Sequence, residues 1–320
     1  MNNQSIAFVF PGQGSQHLGM LSDMATQYPE VADTFAQASE VLGYDLQQLV
    51  FKGPDEKLNQ TEYTQPALLA ASYALWRIIN AHSLIQPSVL AGHSLGEYTA
   101  LVCANALNFQ DAIKLVAARG RFMQSAVTAG TGAMAAIIGL DNDAVASICV
   151  RALNSTDEVL APANFNSTGQ VVIAGHQDAV NRAVSLAKEN GAKMAVLIPV
   201  SVPSHCELMR PAAEKLAELL NTIVIQVPTL PVINNTDVSI YKDTAEIRSG
   251  LARQLYMPVR WVEIMHEFKA MGVTSIIECG PGKILTGLNK RIDKTLHLQS
   301  ANDLAGLEAL LKFANERNAT

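Results

Sequence analysis

Pro87-Ser-Val-Leu-Ala-Gly-His-Ser-Leu-Gly96 is the stretch whose reading decides the fold. Val89-Leu90-Ala91 is a short apolar run of the kind that forms a buried strand. Gly92-His-Ser-Leu-Gly96 then fits G-x-S-x-G, and the residues from Glu97 to Ala106 continue as a helix. A serine between a strand and a helix in this pattern is the signature of a nucleophile elbow, a strained turn that holds the hydroxyl proud of the sheet. The two flanking glycines suit it, because larger side chains would collide across so tight a turn.

Working outward, residues 6–10 (Ile-Ala-Phe-Val-Phe) form another continuous apolar strand, ending in Pro11-Gly12. Helical periodicity covers 29–42, 65–81 and 109–127. Strands and helices that alternate over short loops argue for a parallel α/β sheet. The pattern changes at Thr128-Ala-Gly-Thr-Gly132, a flexible stretch of linker character. Strand, helix, strand, strand, helix and strand follow over 133–200, the β-α-β-β-α-β order of a ferredoxin-like unit. The remainder resumes the first pattern, with helices at 207–220, 245–255 and 284–291, strands at 230–234, 275–279 and 295–299, and a C-terminal helix. The expected architecture is an α/β-hydrolase-like domain with a parallel sheet, residues 1–128 and 201–320, interrupted by a ferredoxin-like insert at 129–200.

The 320 residues are 49% hydrophobic and 16% charged, a composition for a well-buried globule. A formal charge of −6 gives no reason to expect nucleic acid or an anionic membrane as partner. No apolar stretch reaches membrane-spanning length, and the first residues lack the positive region of a signal peptide. Cys103, Cys149, Cys206 and Cys279 are widely spaced, which fits reduced thiols in a cytoplasmic protein and no metal site.

A serine hydroxyl needs a base beside it to act as a nucleophile at neutral pH, and imidazole suits that role. Of seven histidines, His82, His266 and His297 sit in ordinary polar positions, and His176 lies in the insert. His17 follows the glycine-rich loop after the first strand, where pocket lining and solvent exposure are equally open. His93 adjoins the serine, so its side chain points away from the hydroxyl and shapes the pocket instead. His205 stands in Ser201-Val-Pro-Ser-His205, a loop after a strand and before a helix, where open α/β sheets carry their chemistry. It is the candidate base, a helix-start cap being the alternative.

The acid of a Ser-His-Asp triad is harder to place. In hydrolase order it stands between the serine and the histidine, yet Asp111, Asp141, Asp143, Asp157 and Asp178 all read as helix starts or surface turns. Either the acid comes from elsewhere or a backbone carbonyl replaces it. For the oxyanion hole, the Leu95 amide at a helix N-terminus is the natural first donor. Pro11-Gly-Gln-Gly-Ser-Gln16 could supply the second through Gln13, whose flanking glycines let backbone approach a ligand. His17 stands where a dinucleotide fingerprint needs its third glycine, and neither G-x-x-x-x-G-K-[ST] nor H-E-x-x-H occurs.

Seven motifs converge at this point. Phe10-Pro-Gly-Gln-Gly-Ser-Gln16, Gly92-His-Ser-Leu-Gly96, Arg119-Gly, Gly132-Ala-Met-Ala-Ala136, Val202-Pro-Ser-His205, Gln254-Leu-Tyr and Gly280-Pro-Gly282 together resemble the bacterial malonyl-CoA:acyl carrier protein transacylases, in order and over nearly the whole chain. The resemblance implies Ser94 as the acylated nucleophile and His205 as its base. It implies that Gln254 orients the histidine through its main-chain carbonyl, which accounts for the absent Asp. It implies Gln13 and Leu95 as oxyanion-hole amides, and Arg119 as the partner of the malonyl carboxylate. Leu95 also fits malonyl-type members, since methylmalonyl-type relatives usually carry Gln there.

From the residues alone, Arg119 could equally lie on the solvent face of its helix. A guanidinium in the site would nonetheless make chemical sense, because its planar fork gives a carboxylate two charge-assisted bonds that a neutral acyl group cannot accept. The implied partners are malonyl-CoA and acyl carrier protein, with no cofactor and no metal. Carrier proteins are typically acidic, so docking calls for a local basic patch; Lys283, Lys290, Arg291 and Lys294, around one expected helix, are the candidates. Two other readings stand beside transfer: a thioesterase or esterase using the same serine, and a non-catalytic module that binds CoA or carrier protein.

Overall fold

The computed structural model describes residues 5–318 except Ala129 and Ser201, so the expected junction residues and the first four residues lie outside the described chain. In chain order the strands are β1 (Ser5–Phe10), β2 (Val89–Gly92), β3 (Gly132–Ile138), β4 (Leu160–Ser167), β5 (Gln170–His176), β6 (Met194–Ile198), β7 (Val232–Ile233), β8 (Val273–Glu278) and β9 (His297–Ser300). The helices begin with α1 (Pro29–Leu42), α2 (Leu46–Lys52), α3 (Asp55–Leu58), α4 (Thr61–His82), α5 (Gly96–Cys103), α6 (Phe109–Ala126) and α7 (Asn142–Arg151). They continue with α8 (Gln177–Glu189), α9 (Arg210–Leu220), α10 (Thr244–Gln254), α11 (Trp261–Ala270), α12 (Ile284–Ile292) and α13 (Leu304–Asn318).

A five-stranded sheet of order β7-β2-β1-β8-β9, parallel throughout, forms the larger layer. Its central strand explains the layering. From Ile6 onward β1 is buried at every position, as a strand covered on both faces must be. Ile6, Phe8 and Phe10 enter a core built with α1, α4 and α6, whereas Ala7 and Val9 enter a second core with Trp261, Ile264 and Phe268 of α11.

α2, α3 and α11 add to the helices read from sequence. The expected helix at 207–220 starts instead with a 3-10 turn at Glu207–Met209, and α9 begins at Arg210 with a proline preset for its first turn.

Residues between β3 and β6 build a separate antiparallel sheet, order β4-β5-β3-β6. Ala135 and Ile137 of β3 pack on one side against α7 and α8, and Asp141 caps α7 by accepting from the Ala144 amide. Met134, Val172 and Ala174 face the other way, into a small cluster with Cys206 and Leu208. β4 is stitched to the segment before α11, through Phe165 N–H to Val259 O and Val259 N–H to Ala163 O, each 2.9 Å.

The site lies in the crevice beyond the carboxyl ends of β1 and β2, the position that open parallel sheets use for ligands. Here β1 runs into Pro11–Gln16 and β2 into the serine turn, with His93 N–H bound to Phe10 O at 2.9 Å. Space at that junction is minimal: a Cβ on Gly96 would overlap the Phe10 carbonyl, and one on Gly92 would overlap the Gly96 backbone. Gly96→Ala should therefore cost about 1–3 kcal/mol of stability or more, since backbone cannot yield as a side chain can. An unchanged melting temperature would contradict this packing argument.

Candidate active site

Ser94 occupies the left-handed region at φ +52°, a conformation side chains other than glycine avoid. Asn235 supports that strain from below: its Oδ1 accepts the Ser94 N–H at 2.7 Å while its Nδ2 donates to Gly92 O at 2.7 Å. The hydroxyl thereby projects from the turn into the crevice. His205, itself at φ +64°, places Nε2 2.8 Å from Ser94 Oγ. Its Nδ1 lies 2.7 Å from the main-chain oxygen of Gln254, which fixes the tautomer with Nδ1 protonated and Nε2 free to accept. Burial, then the nearby Arg119 charge, pushes the His205 imidazole down to about 3, so it is neutral at physiological pH.

Arg119 is not on the solvent face of α6; it is 1% exposed, whereas Arg121 is exposed. Its guanidinium donates to Gln65 Oε1 at 2.8 Å and Gln254 Oε1 at 3.0 Å, lies 5.4 Å from the Tyr98 ring centroid, and reaches Ser94 Oγ at 3.3 Å. No carboxylate makes an ion pair with it among the described residues. Neutral amide oxygens therefore hold a buried cation beside the serine.

Leu95 begins the turn into α5, and Gln13 lies in the loop after β1 with its side chain on Thr61 Oγ1 at 3.3 Å. Both line the same cavity as Ser94, His205 and Arg119, a space of about 620 Å³. Met134, Val172 and Ile198 of the antiparallel sheet roof that cavity, and Ile284 and Leu288 of α12 form one wall. His93 points away from the serine hydroxyl and toward the roof, where Nε2 meets Asn166 Oδ1 at 2.8 Å. The other histidines lie outside the cavity lining: His17 is exposed, His176 accepts the Val159 N–H, His82 pairs with Glu30 at 3.4 Å, His297 stacks on Phe313, and His266 lies on α11. All four cysteines are buried with thiols pushed up by desolvation, and no cluster of metal-ligating side chains occurs among the described residues.

Glu97, Gln65 and Asn235 are the site's residues that the sequence reading missed. Glu97 is fully buried in the first turn of α5. A signal existed: Tyr98 to Cys103 is apolar or small on every side, and a helix of that kind is buried all round, so a carboxyl within it must be partnered. Gln65 and Asn235 carry no comparable mark, because a neutral amide in a helix or after a short strand has many uses.

A nucleophile, an oriented neutral base and a lone buried cation in one cavity suit acyl transfer with an anionic acyl group. The family model described as acyl transferase domain matches residues 7–306. The chain belongs to that family. It is 55% identical over 305 residues to the malonyl CoA-acyl carrier protein transacylase of Salmonella typhimurium, covering 95% of this chain and 98% of that relative. Among solved structures, the acyl carrier protein S-malonyltransferase of Vibrio cholerae is 59% identical with a TM-score of 0.93, covering 96% of this chain and 99% of that one. A malonyl-transacylase solved in complex with a type II PKS acyl-carrier protein is 53% identical with a TM-score of 0.94, covering 97% and 99%.

Proposed function

We propose that this chain transfers malonyl from malonyl-CoA to the phosphopantetheine thiol of acyl carrier protein through a malonyl-serine intermediate, supplying fatty acid synthesis. The carrying observation is Ser94 Oγ set between a neutral imidazole at 2.8 Å and a buried guanidinium at 3.3 Å. The transacylase names of close relatives along the full chain support the same reading.

His205 Nε2 takes the Ser94 proton as Oγ bonds to the thioester carbon, and the carbonyl oxygen becomes an oxyanion held by the Leu95 and Gln13 amides. Collapse breaks the C–S bond, and the imidazolium returns its proton to the departing CoA thiolate. The carrier thiol then repeats the sequence in the other half-reaction, giving ping-pong kinetics. Arg119 binds the free malonyl carboxylate, and the Gln254 carbonyl steadies His205 in the place an Asp would take. Neither metal nor organic cofactor takes part, since the thioester already supplies an activated acyl group.

The strand order β4-β5-β3-β6, with two helices covering one face, supports a ferredoxin-like reading of the insert at 129–200. For residues 1–128 and 201–320 the order β7-β2-β1-β8-β9 is that of a doubly-wound sheet, and the serine turn between β2 and α5 is what supports the α/β-hydrolase-like reading. No helix among the described residues is long and apolar enough to cross a membrane. Four buried thiols fit a reducing cytoplasm.

The direct test is mass spectrometry of the intact protein after malonyl-CoA and, separately, acetyl-CoA. A malonyl adduct on Ser94 that leaves on addition of carrier protein is expected; an adduct lost to water as fast as to carrier thiol would indicate hydrolysis instead. Carrier docking is tested separately. Lys283, Lys290, Arg291 and Lys294 are all exposed around α12, with Lys283 also 3.6 Å from Asp303 and Arg291 donating to Gln170 at 2.6 Å. Reversing Lys290 and Arg291 to Glu should slow transfer to an acidic carrier protein roughly tenfold at low salt while sparing acylation by malonyl-CoA. Equal losses in both half-reactions would remove this helix as the docking face.

A further inference from the structure

Beneath the serine turn lies a buried carboxylate that touches none of the reacting atoms. Glu97 Oε2 accepts from Gln254 Nε2 at 2.8 Å and from the Asn235 N–H at 2.9 Å, and Oε1 accepts from the Tyr241 hydroxyl. The ionised form accepts from all three, and around Oε2 both partners are N–H groups that can only donate, so a proton there would face no acceptor. Two of the three partners connect directly to the machinery above. Asn235 Oδ1 is the support for the Ser94 amide, and the Gln254 side chain ends on Arg119.

The Gln254 amide shows what the carboxylate decides. Its NH₂ faces three acceptors, Glu97 Oε2, the Ser94 carbonyl at 3.0 Å and Asn235 Oδ1 at 3.4 Å, and its Oε1 faces the Arg119 donor. A flipped amide would set N–H against N–H at Arg119 and oxygen against the charged Glu97. Among the described residues no acid pairs with Arg119, so its aim depends on this amide and on Gln65.

We propose that Glu97 is a positioning residue for acyl selectivity: it locks the Gln254 amide and Asn235 so that Arg119 and Ser94 stay aimed at the same acyl group. This rests on the malonyl-transfer reading of the site. It also predicts a pH signature. Around Glu97, Arg119 approaches from α6, Tyr98 from α5 and Tyr241 from the segment before α10, and His205 completes the site. Tyr98 is pushed up to about 12, Tyr241 well above its usual range, and His205 down to about 3. Burial pushes Glu97 up to about 7, opposed by its hydrogen bonds and by Arg119, so it is the group among these that changes charge near neutrality. Below that pH a proton on Oε2 displaces one of its N–H donors, and one on Oε1 reverses the Tyr241 bond and removes the charge that holds the Gln254 amide; either way the lock loosens.

The experiment measures Ser94 acylation from malonyl-CoA and acetyl-CoA between pH 5.5 and 8.5, in wild type, Glu97→Gln and Tyr241→Phe (roughly spanning the Glu97 titration). In wild type the malonyl-to-acetyl ratio should fall as pH drops through about 7. Glu97→Gln offers one acceptor oxygen in place of two, so its ratio at pH 8 should fall roughly ten- to hundredfold and show no such step. Tyr241→Phe deletes a bond that favours the carboxylate, so its step should move to higher pH even if Glu97→Gln does not fold. A Glu97→Gln ratio within twofold of wild type (about experimental scatter, far below the loss expected for a misplaced group) would overturn the inference. An unmoved step in Tyr241→Phe would do the same. Absence of any malonyl adduct on wild-type Ser94 would instead overturn the transferase reading itself.

Discussion

Ser94→Ala is expected to lose acylation by malonyl-CoA by a factor on the order of a million, the scale seen when a serine enzyme loses its nucleophile. The size follows from what the residue does: without Oγ there is no covalent intermediate, and a ping-pong transfer has no alternative acceptor. His205→Ala should fall by a similar factor, because a serine hydroxyl with no base beside it remains un-ionised near pH 7. The two act as one unit across a single 2.8 Å hydrogen bond, so the double variant should be little worse than either single one. Fold should survive both changes, since neither side chain contributes to the apolar cores on the two faces of the large sheet. Rapid-quench measurement of acyl-enzyme from labelled malonyl-CoA checks all three variants. If Ser94→Ala still transferred malonyl at wild-type rate, the chain would be acting by some route other than a serine adduct.

How far the chain could be read in advance differs by region for identifiable reasons. The large sheet was legible because β1 and β2 are continuous apolar runs ending in glycine-rich turns, a pattern set by burial on both faces. Between β3 and β6 the alternation of strands and helices was legible element by element, with Asp141 marking the start of α7 as its cap. α11 was overlooked although Trp261, Ile264, Met265 and Phe268 keep helical spacing, because no Ser, Thr, Asp or Asn capping residue announces its start. In the site, the serine and histidine carry motifs. Gln254 was reached only through the resemblance, in Gln254-Leu-Tyr, because its decisive atom is a main-chain oxygen that any residue possesses. Glu97 was hidden by its place next to the elbow, where an acid reads as an N-terminal helix charge; only the apolar character of everything after it says that it must be buried.

Arg119→Ala is expected to change which acyl group the enzyme accepts more than how fast it works. In the wild type the guanidinium is 1% exposed and rests on two neutral amide oxygens. A malonyl carboxylate completes it with charge-assisted bonds that contribute on the order of 1.5–3 kcal/mol, roughly ten- to hundredfold in rate if expressed in the transition state. An acetyl group leaves the cation buried and unpaired, which penalises the wrong substrate further. Removing the arginine cancels both effects, so malonyl acylation should fall by roughly that factor while acetyl acylation rises, and the preference should shrink by about a hundredfold or more. The effect reaches the base as well. Arg119 is the second cause of the low His205 basicity, after burial, so the carboxylate that neutralises it also makes the imidazole a better proton acceptor when the right acyl group is bound. Arg119→Lys keeps the charge but not the fork, and should recover only part of the preference. Competition between malonyl-CoA and acetyl-CoA for Ser94, read by intact-mass spectrometry, measures the ratio directly. Parallel losses on both thioesters in Arg119→Ala would make the arginine a structural post under the serine and leave the carboxylate to be read by another group.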